Sequence, residues 1–171
     1  MTKQRMTDSR IRRLEPLDWP RVRKIYEEGI SSGDATFETE APTWEHWDAN
    51  HISSCRLVLE DGGQVLGWAA LWPASDRCVY GGVAEVSVYV GREAQGRGIG
   101  TRLLQELISA SEKEGFWTLQ AGIFPENRSS VRIHEKCGFR EIGHRERLGK
   151  MKEVWRDVLL LERRSSSVGT D

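Results

Sequence analysis

The sequence predicts a single α/β (α+β) domain in which helices pack around one mixed sheet. Its 171 residues, 38% of them hydrophobic, can bury a core without disulfides or a structural metal. Runs rich in β-branched residues alternate irregularly with helical apolar stripes, the pattern of one mixed sheet with helices rather than a pure bundle or sandwich. A glycine-rich run also joins a strand-like segment to an amphipathic helical one.

In chain order, Ile11 and Leu14 lie in a short first strand that stops before Pro16. Asp18 can cap a helix over about residues 19–28, with Gly29 and Gly33 to end it. Residues 31–42 have no clear period and read as a loop long enough to be functional. Thr43 then caps a second helix to about Ile52. Residues 56–60 and 64–72 are apolar runs separated by Asp61-Gly62-Gly63, which predicts an antiparallel hairpin. Residues 83–90 form a β-branched strand, and residues 101–114 carry Leu103, Leu104, Leu107, Ile108 and Ser111 on one helical stripe. Residues 117–123 predict another strand, 129–136 a short helix, and 140–147 and 157–162 two closing strands. The domain is expected over residues 10–163, with flexible ends at 1–9 and 164–171, the latter small and polar.

Charged residues make up 30% of the chain and nearly cancel at a net charge of −1, so no long-range field favours nucleic acid or an anionic membrane. Cys55, Cys78 and Cys137 are odd in number and far apart, which suits free thiols in a reducing cytoplasm. The basic amino terminus lacks the apolar stretch of a secretory signal, and no run of about 18 apolar residues occurs. A cytoplasmic protein without nucleic-acid or membrane partners is the expectation. His46 and His51 are five apart and do not share a helical face, so no metal is expected there.

The run Gln95-Gly96-Arg97-Gly98-Ile99-Gly100-Thr101 opens a helix, where unpaired backbone N–H groups and the helix dipole favour phosphate oxygens. Glycines at 96, 98 and 100 permit close approach, and Arg92, Arg97 and Arg102 can add charge. A dinucleotide fingerprint needs a third glycine where Thr101 stands and an acidic residue near Leu119-Gln120-Ala121. A triphosphate loop needs lysine before the hydroxyl residue, and Gly100 stands there. Both readings fail. The remaining pattern, Gln95, Gly98 and Gly100, resembles the first motif of the GCN5-related N-acetyltransferase (GNAT) family. Asn127, Ser130, His134 and Gly138-Phe139 resemble its second signature, about thirty residues on.

Further matches resemble the phosphinothricin-acetyltransferase-like branch. They are Ala35-Thr36-Phe37-Glu38-Thr39-Glu40, Arg77 and Tyr80 ahead of Ala84-Glu85-Val86-Ser87-Val88-Tyr89-Val90, then Ile133-His134-Glu135 and Trp155 with Asp157. The resemblance implies a twisted, mostly antiparallel mixed sheet splayed after the fourth strand, with helices on both faces. It implies acetyl-coenzyme A as co-substrate, no metal, and a homodimer. It also implies Glu85 as catalytic base and His134 as a second catalytic group, donating to the leaving sulfur or helping to take the amine proton. Backbone N–H groups around Val88, Tyr89 and Val90, the glycine run from Gln95 through Thr101, and Asn127 and Ser130 would hold the cofactor. Phe37, Arg77 and Tyr80, with Glu85 and Ser87, would hold a small amine acceptor, Arg77 pairing with its carboxylate.

Each assignment has a structural counterpart: Glu85 in a sheet ion pair, His134 as a solvated helix histidine, Tyr89 as filler, Asn127 as a plain helix cap. Cys137 beside Gly138-Phe139 suggests core packing rather than nucleophilic work. Cys78 stands where the branch commonly has proline, and Gly81-Gly82 where bulkier residues are common. The expected activity is direct acetyl transfer to an amino-acid-like amine such as phosphinothricin, methionine sulfoximine or a related glutamate analogue, with detoxification as its purpose. The rival expectations are another amine on the same chemistry (a protein N-terminus, lysine or polyamine) and a non-catalytic acyl-coenzyme A sensor.

Overall fold

Apolar runs over residues 56–61 and 64–73, buried on both faces, form the middle of the sheet of the computed structural model, which describes residues 8–171. Its strands are β1 (Ser9–Arg13), β2 (Arg56–Asp61), β3 (Gln64–Pro73), β4 (Val83–Val90), β5 (Thr118–Ile123), β6 (Arg140–Met151) and β7 (Val154–Arg164), in spatial order β1-β2-β3-β4-β5-β7-β6. All neighbours run antiparallel except β4 and β5. The helices are α1 (Trp19–Ser32), α2 (Trp44–Asn50), α3 (Ile99–Lys113) and α4 (Arg128–Lys136). Of the amino-terminal stretch 1–9 expected to be flexible, residues 1–7 lie outside the described residues, and Ser9 already pairs with Asp61.

Two cores form on opposite faces. Leu103, Leu104 and Leu107 of α3 pack with Leu59, Ala69 and Leu71 of the sheet. Trp19, Val22, Ile25 and Tyr26 of α1 and Trp47 of α2 pack with Val58, Trp68 and Ala70. Helices therefore cover both faces, as the family resemblance implies.

The structure corrects three boundaries. Helix α1 continues through Gly29 and stops at Ser32, where Gly33 adopts a left-handed φ of 80°. Gly29 serves packing instead of termination, because a Cβ there would lie 2.7 Å from the Tyr89 ring. Strands β6 and β7 extend beyond the expected 140–147 and 157–162 because the pairing resumes after an irregularity between Arg145 and Gly149. Arg147 sits in this bulge at a φ of 45°, with its N–H donated to Asp157 Oδ1 at 2.8 Å.

The carboxy-terminal tail is held in place. Ser165 is buried, its N–H donates to the Trp117 carbonyl at 2.8 Å, and its hydroxyl donates to Glu112 at 2.8 Å. Arg164 donates to the carbonyls of Trp117 and Val168. Fixed backbone acceptors thus order a segment whose small polar residues predict fraying. Among the described residues no helix is long and apolar enough to cross a membrane.

Trp117 also explains the glycine pair ahead of β4. A Cβ on Gly82 would stand 2.0 Å from the Trp117 ring, and the Trp117 N–H donates to the Gly82 carbonyl at 2.8 Å. Gly82→Ala is expected to destabilise the fold by about 1–3 kcal/mol through this overpacking. Urea denaturation checks it, and an unchanged midpoint would contradict the assigned contact.

Candidate active site

Pairing between β4 and β5 covers only Val83–Thr118, Ala84–Leu119 and Glu85–Gln120. Beyond Glu85, β4 stays with β3 as far as Val90, while β5 stays with β7 as far as Ile123. The sheet therefore splays after its fourth strand. The Gly91 N–H donates to the Leu66 carbonyl, and the Val83 carbonyl accepts from Ala74, so odd-numbered residues of β4 turn their backbone groups toward β3. Alternation leaves the carbonyl of Val86 and the backbone groups of Val88 and Val90 facing the gap, the Val86 N–H being used in the Glu85–Gln120 pairing. The backbone groups of Tyr89 face β3, which removes its N–H from the expected set of donors.

The gap opens into a cleft of about 380 Å³. Glu85 lies at its apex, half-buried, and is the last residue of β4 to pair with β5. Burial pushes its carboxyl above the usual range, and the neighbouring Gln120 amide opposes that shift. No sheet ion pair engages Glu85 among the described residues. Ser87 and Tyr89 follow it along the cleft wall. The Tyr89 ring stacks on Tyr26 and Trp68 with centroids 4.9 Å away in each case, and burial raises its phenol strongly. It is a rigid wall.

His134 reaches the cleft from α4 and is only 4% exposed, so it is not a solvated helix histidine. Its Nδ1 lies 2.7 Å from the Ser130 carbonyl oxygen, which can only accept. Nδ1 therefore carries the proton, and Nε2 keeps a lone pair when the ring is neutral. Burial lowers its basicity, against the opposing Ser130 bond. Its ring stands edge-on to Phe139 at 5.1 Å. Asn127 caps α4: its Oδ1 accepts from the Ser130 N–H at 3.3 Å, and its Nδ2 donates to the Asp34 carbonyl at 3.2 Å. The cap ties α4 to the loop after α1 while Asn127 and Ser130 also line the cleft.

Just past the end of β4, Gly96 and Gly98 adopt left-handed φ values of 77° and 76°, and Gly98 caps α3 without a side-chain bond. Arg102 N–H makes the first helical bond to the Gly98 carbonyl at 3.2 Å, so the first-turn N–H groups at Ile99, Gly100 and Thr101 have no helical acceptor. Gly100 lets α3 approach α4, since a Cβ would lie 3.1 Å from Ile133. The arginines differ from expectation. An Arg97 Nη donates to Asp61 at 3.2 Å, Arg102 donates to the Ser9 hydroxyl at 2.9 Å, and the Arg92 N–H is taken by Glu28. Two of the three side chains are thus anchored, Arg92 being engaged only through its backbone N–H, and Arg97 Nε is buried without a partner. Gln95 is exposed beside the run.

The structure does not bring together the expected acceptor trio. Phe37 lines the cleft edge-on to Phe124 at 4.8 Å, with its ring against Gly149, where a Cβ would come within 2.9 Å. Arg77 and Tyr80 lie outside the cleft lining, on a short 3-10 turn. The Arg77 guanidinium sits 5.5 Å from the centroid of the Tyr80 ring, which is 45% exposed. The exposed Cys78 between them has no structural explanation.

Sequence reasoning missed four contributors. Gln120 and Phe124 come from β5 and its end, and Arg145 and Leu148 come from the β6 bulge. Arg156 does not line the cleft but fastens its loop, donating to the Gly33 carbonyl at 2.8 Å and to Asp34 at 2.9 Å while lying over Phe124 at 4.1 Å. The alternation of the β5 strand offered a signal for Gln120; the mostly polar run around Arg145 held none. Among the described residues no group of three or more His, Cys, Asp or Glu side chains forms a metal cluster.

The splayed sheet, the open edge of β4 and the glycine-capped α3 define a family. Residues 17–139 match the acetyltransferase (GNAT) family, and the chain belongs to it and is an acyltransferase enzyme. Its particular likeness is to the phosphinothricin-acetyltransferase-like branch. The phosphinothricin N-acetyltransferase of Streptomyces coelicolor is 31% identical over 81% of this chain and 86% of its own. The L-methionine sulfoximine/L-methionine sulfone acetyltransferase of Pseudomonas aeruginosa is 26% identical over 85% of this chain and 88% of its own. The solved phosphinothricin acetyltransferase of Sinorhizobium meliloti, in complex with acetyl-coenzyme A, superposes with a TM-score of 0.86 at 26% identity, covering 95% of this chain and 91% of that one.

The histidine tautomer is directly testable. Imidazole NMR is expected to show Nε2 unprotonated at pH 7 and His134 titrating below its ordinary 6.5, because burial disfavours the cation. Titration above that value would contradict the buried, Nδ1-protonated arrangement.

Proposed function

We propose that the protein transfers acetyl from acetyl-coenzyme A to the α-amino group of a small amino-acid-like acceptor. Phosphinothricin, methionine sulfoximine and related glutamate analogues are the favoured class, and detoxification the purpose. One observation carries the reading: the β4 edge, free beyond Glu85, opens a cleft with a buried carboxyl at its apex and leads to the α3 cradle. The named relatives support the acceptor class.

The residues fit the cofactor. First-turn N–H groups of α3 suit pyrophosphate, and the free backbone groups of Val88 and Val90, with the Val86 carbonyl, suit an extended amide-bearing arm. Bound there, acetyl-coenzyme A supplies an activated acyl group. Gly96 and Gly98 shape the cradle, and Asn127 and Ser130 form the facing wall. Glu85 takes the proton of the incoming ammonium, directly or through water, as its raised pKa suits a base nearer neutrality than an ordinary glutamate. His134, neutral with an Nε2 lone pair, accepts a proton in the cleft and can return it to the leaving sulfur. The branch resemblance adds a cytoplasmic homodimer to the proposal, checked by sedimentation.

Thiol release with a panel of amines tests the core of the reading. Free amino acids and glutamate analogues are expected to release coenzyme A. Turnover confined to peptide N-termini, lysine side chains or polyamines would move the acceptor class, and binding without thiol release from any amine would make the protein a sensor.

Glu85→Gln is expected to lower kcat by about 10²-fold or more with cofactor binding intact. Unchanged turnover would remove Glu85 from the role. The sign of its pH dependence follows from burial: the carboxyl holds its proton above the ordinary 4.5, so activity rises as pH climbs through this raised value. The acidic limb of kcat/KM should therefore lie above 4.5 and vanish in Glu85→Gln; a limb surviving in the variant would assign it elsewhere.

A further inference from the structure

The cleft has an unassigned cation. Arg145 lies on β6 opposite Val158, at the edge of the bulge, and lines the cleft with Leu148. Among the described residues no carboxylate, carbonyl or hydroxyl is bonded to its guanidinium, and its side chain is exposed. Arg156, nearby in the fold, is by contrast committed to Gly33, Asp34 and Glu126. The other acidic groups on the cleft wall are the carboxyls of Glu38 and Glu85, and burial favours the neutral form of His134.

This distribution has a chemical shape. Two acidic groups and one unpaired guanidinium around one space match a molecule bearing both an ammonium and an oxyanion. They do not match a polyamine, which carries no anion, or a peptide N-terminus, whose adjacent carboxyl is an amide. Arg77, assigned this task by sequence resemblance, lies outside the cleft lining against Tyr80.

We propose that Arg145 is the specificity-determining residue for the acceptor, its guanidinium forming a fork with a carboxylate or phosphinate of the incoming amino acid while the amine turns toward Glu85. The proposal rests on the amino-acid acetyltransferase reading and names the group that enforces it. The bulge supports the placement. Asp157 accepts the Arg147 N–H through Oδ1 and bonds His144 through Oδ2 at 2.8 Å, so both carboxylate oxygens are occupied and do not draw Arg145 away. The Asp157 hydrogen bond, with smaller contributions from Glu146 and Glu141, raises the basicity of His144.

The test compares wild type, Arg145→Gln and Arg145→Lys on three acceptors: a glutamate analogue, its α-carboxamide, and the analogue lacking the side-chain acid. Arg145→Gln is expected to raise the acceptor KM about 10- to 100-fold on the intact analogue, the loss of one charge-assisted fork, with acetyl-coenzyme A KM and melting temperature unchanged. Arg145→Lys should fall between the two, keeping charge without the fork. The penalty should disappear on whichever acceptor lacks the oxyanion that Arg145 holds, the carboxamide for the α-carboxylate and the other for the side-chain acid. An equal penalty on all three acceptors, or none, overturns the proposal while leaving amino-acid acetylation standing. A wild type that acetylates no free amino acid overturns both.

Discussion

Backbone hydrogen bonding has to be completed for every strand, by another strand or by something else. In this protein β3 satisfies one side of β4 over its whole length, and β7 satisfies one side of β5, but the two strands satisfy each other over only three residue pairs. The unmet half of β4 faces a cleft instead of a core. Residues gathered around that shortfall, from α4, from the loop after α1 and from the β6 bulge, acquire their roles from its position. Glu85 stands at the last paired position, so its backbone is fixed while its side chain looks into partly dry space. Fixed geometry and a raised pKa arise from the same fork.

Rigidity on the side of α1 comes from aromatic stacking. Tyr26, Trp68 and Tyr89 lie nearly parallel, with Trp47 edge-on to Trp68 at 5.6 Å. Contacts of this type contribute about 0.5–1.5 kcal/mol each beyond simple burial. Gly29 lets α1 press onto this stack without bending. The wall carrying Glu85 and Ser87 is thereby preorganised, which matters because transition-state stabilisation depends on groups that need not move at the moment of reaction.

Much of this was legible in residue patterns. The order of strands and helices and the hairpin at Asp61-Gly62-Gly63 follow from periodicity and turn residues, and the placement of Glu85, Phe37, Asn127 and His134 around one space from the family resemblance. What escaped is tertiary in origin. Gly29 looked like a helix stop because its real reason, the Tyr89 ring, is sixty residues away in sequence. The bulge between Arg145 and Gly149 has no apolar period to reveal it, and so Arg145 was invisible as a cleft residue. Arg77 and Tyr80 were placed by resemblance alone, and this chain turns them onto each other. Asn127 proved to be both a helix cap and a wall, two readings that sequence presents as rivals.

The glycine at position 82, the indole of Trp117 and the folded-back tail form a stack behind the three shared pairs of β4 and β5, at the ends of the strands away from the cleft. Mechanically this is a fulcrum. A small rotation of one half-sheet about it would become a larger change in width at the far end, toward the glycine-capped start of α3. The last residues of the chain are thus packed at the pivot end of the cleft, against Trp117.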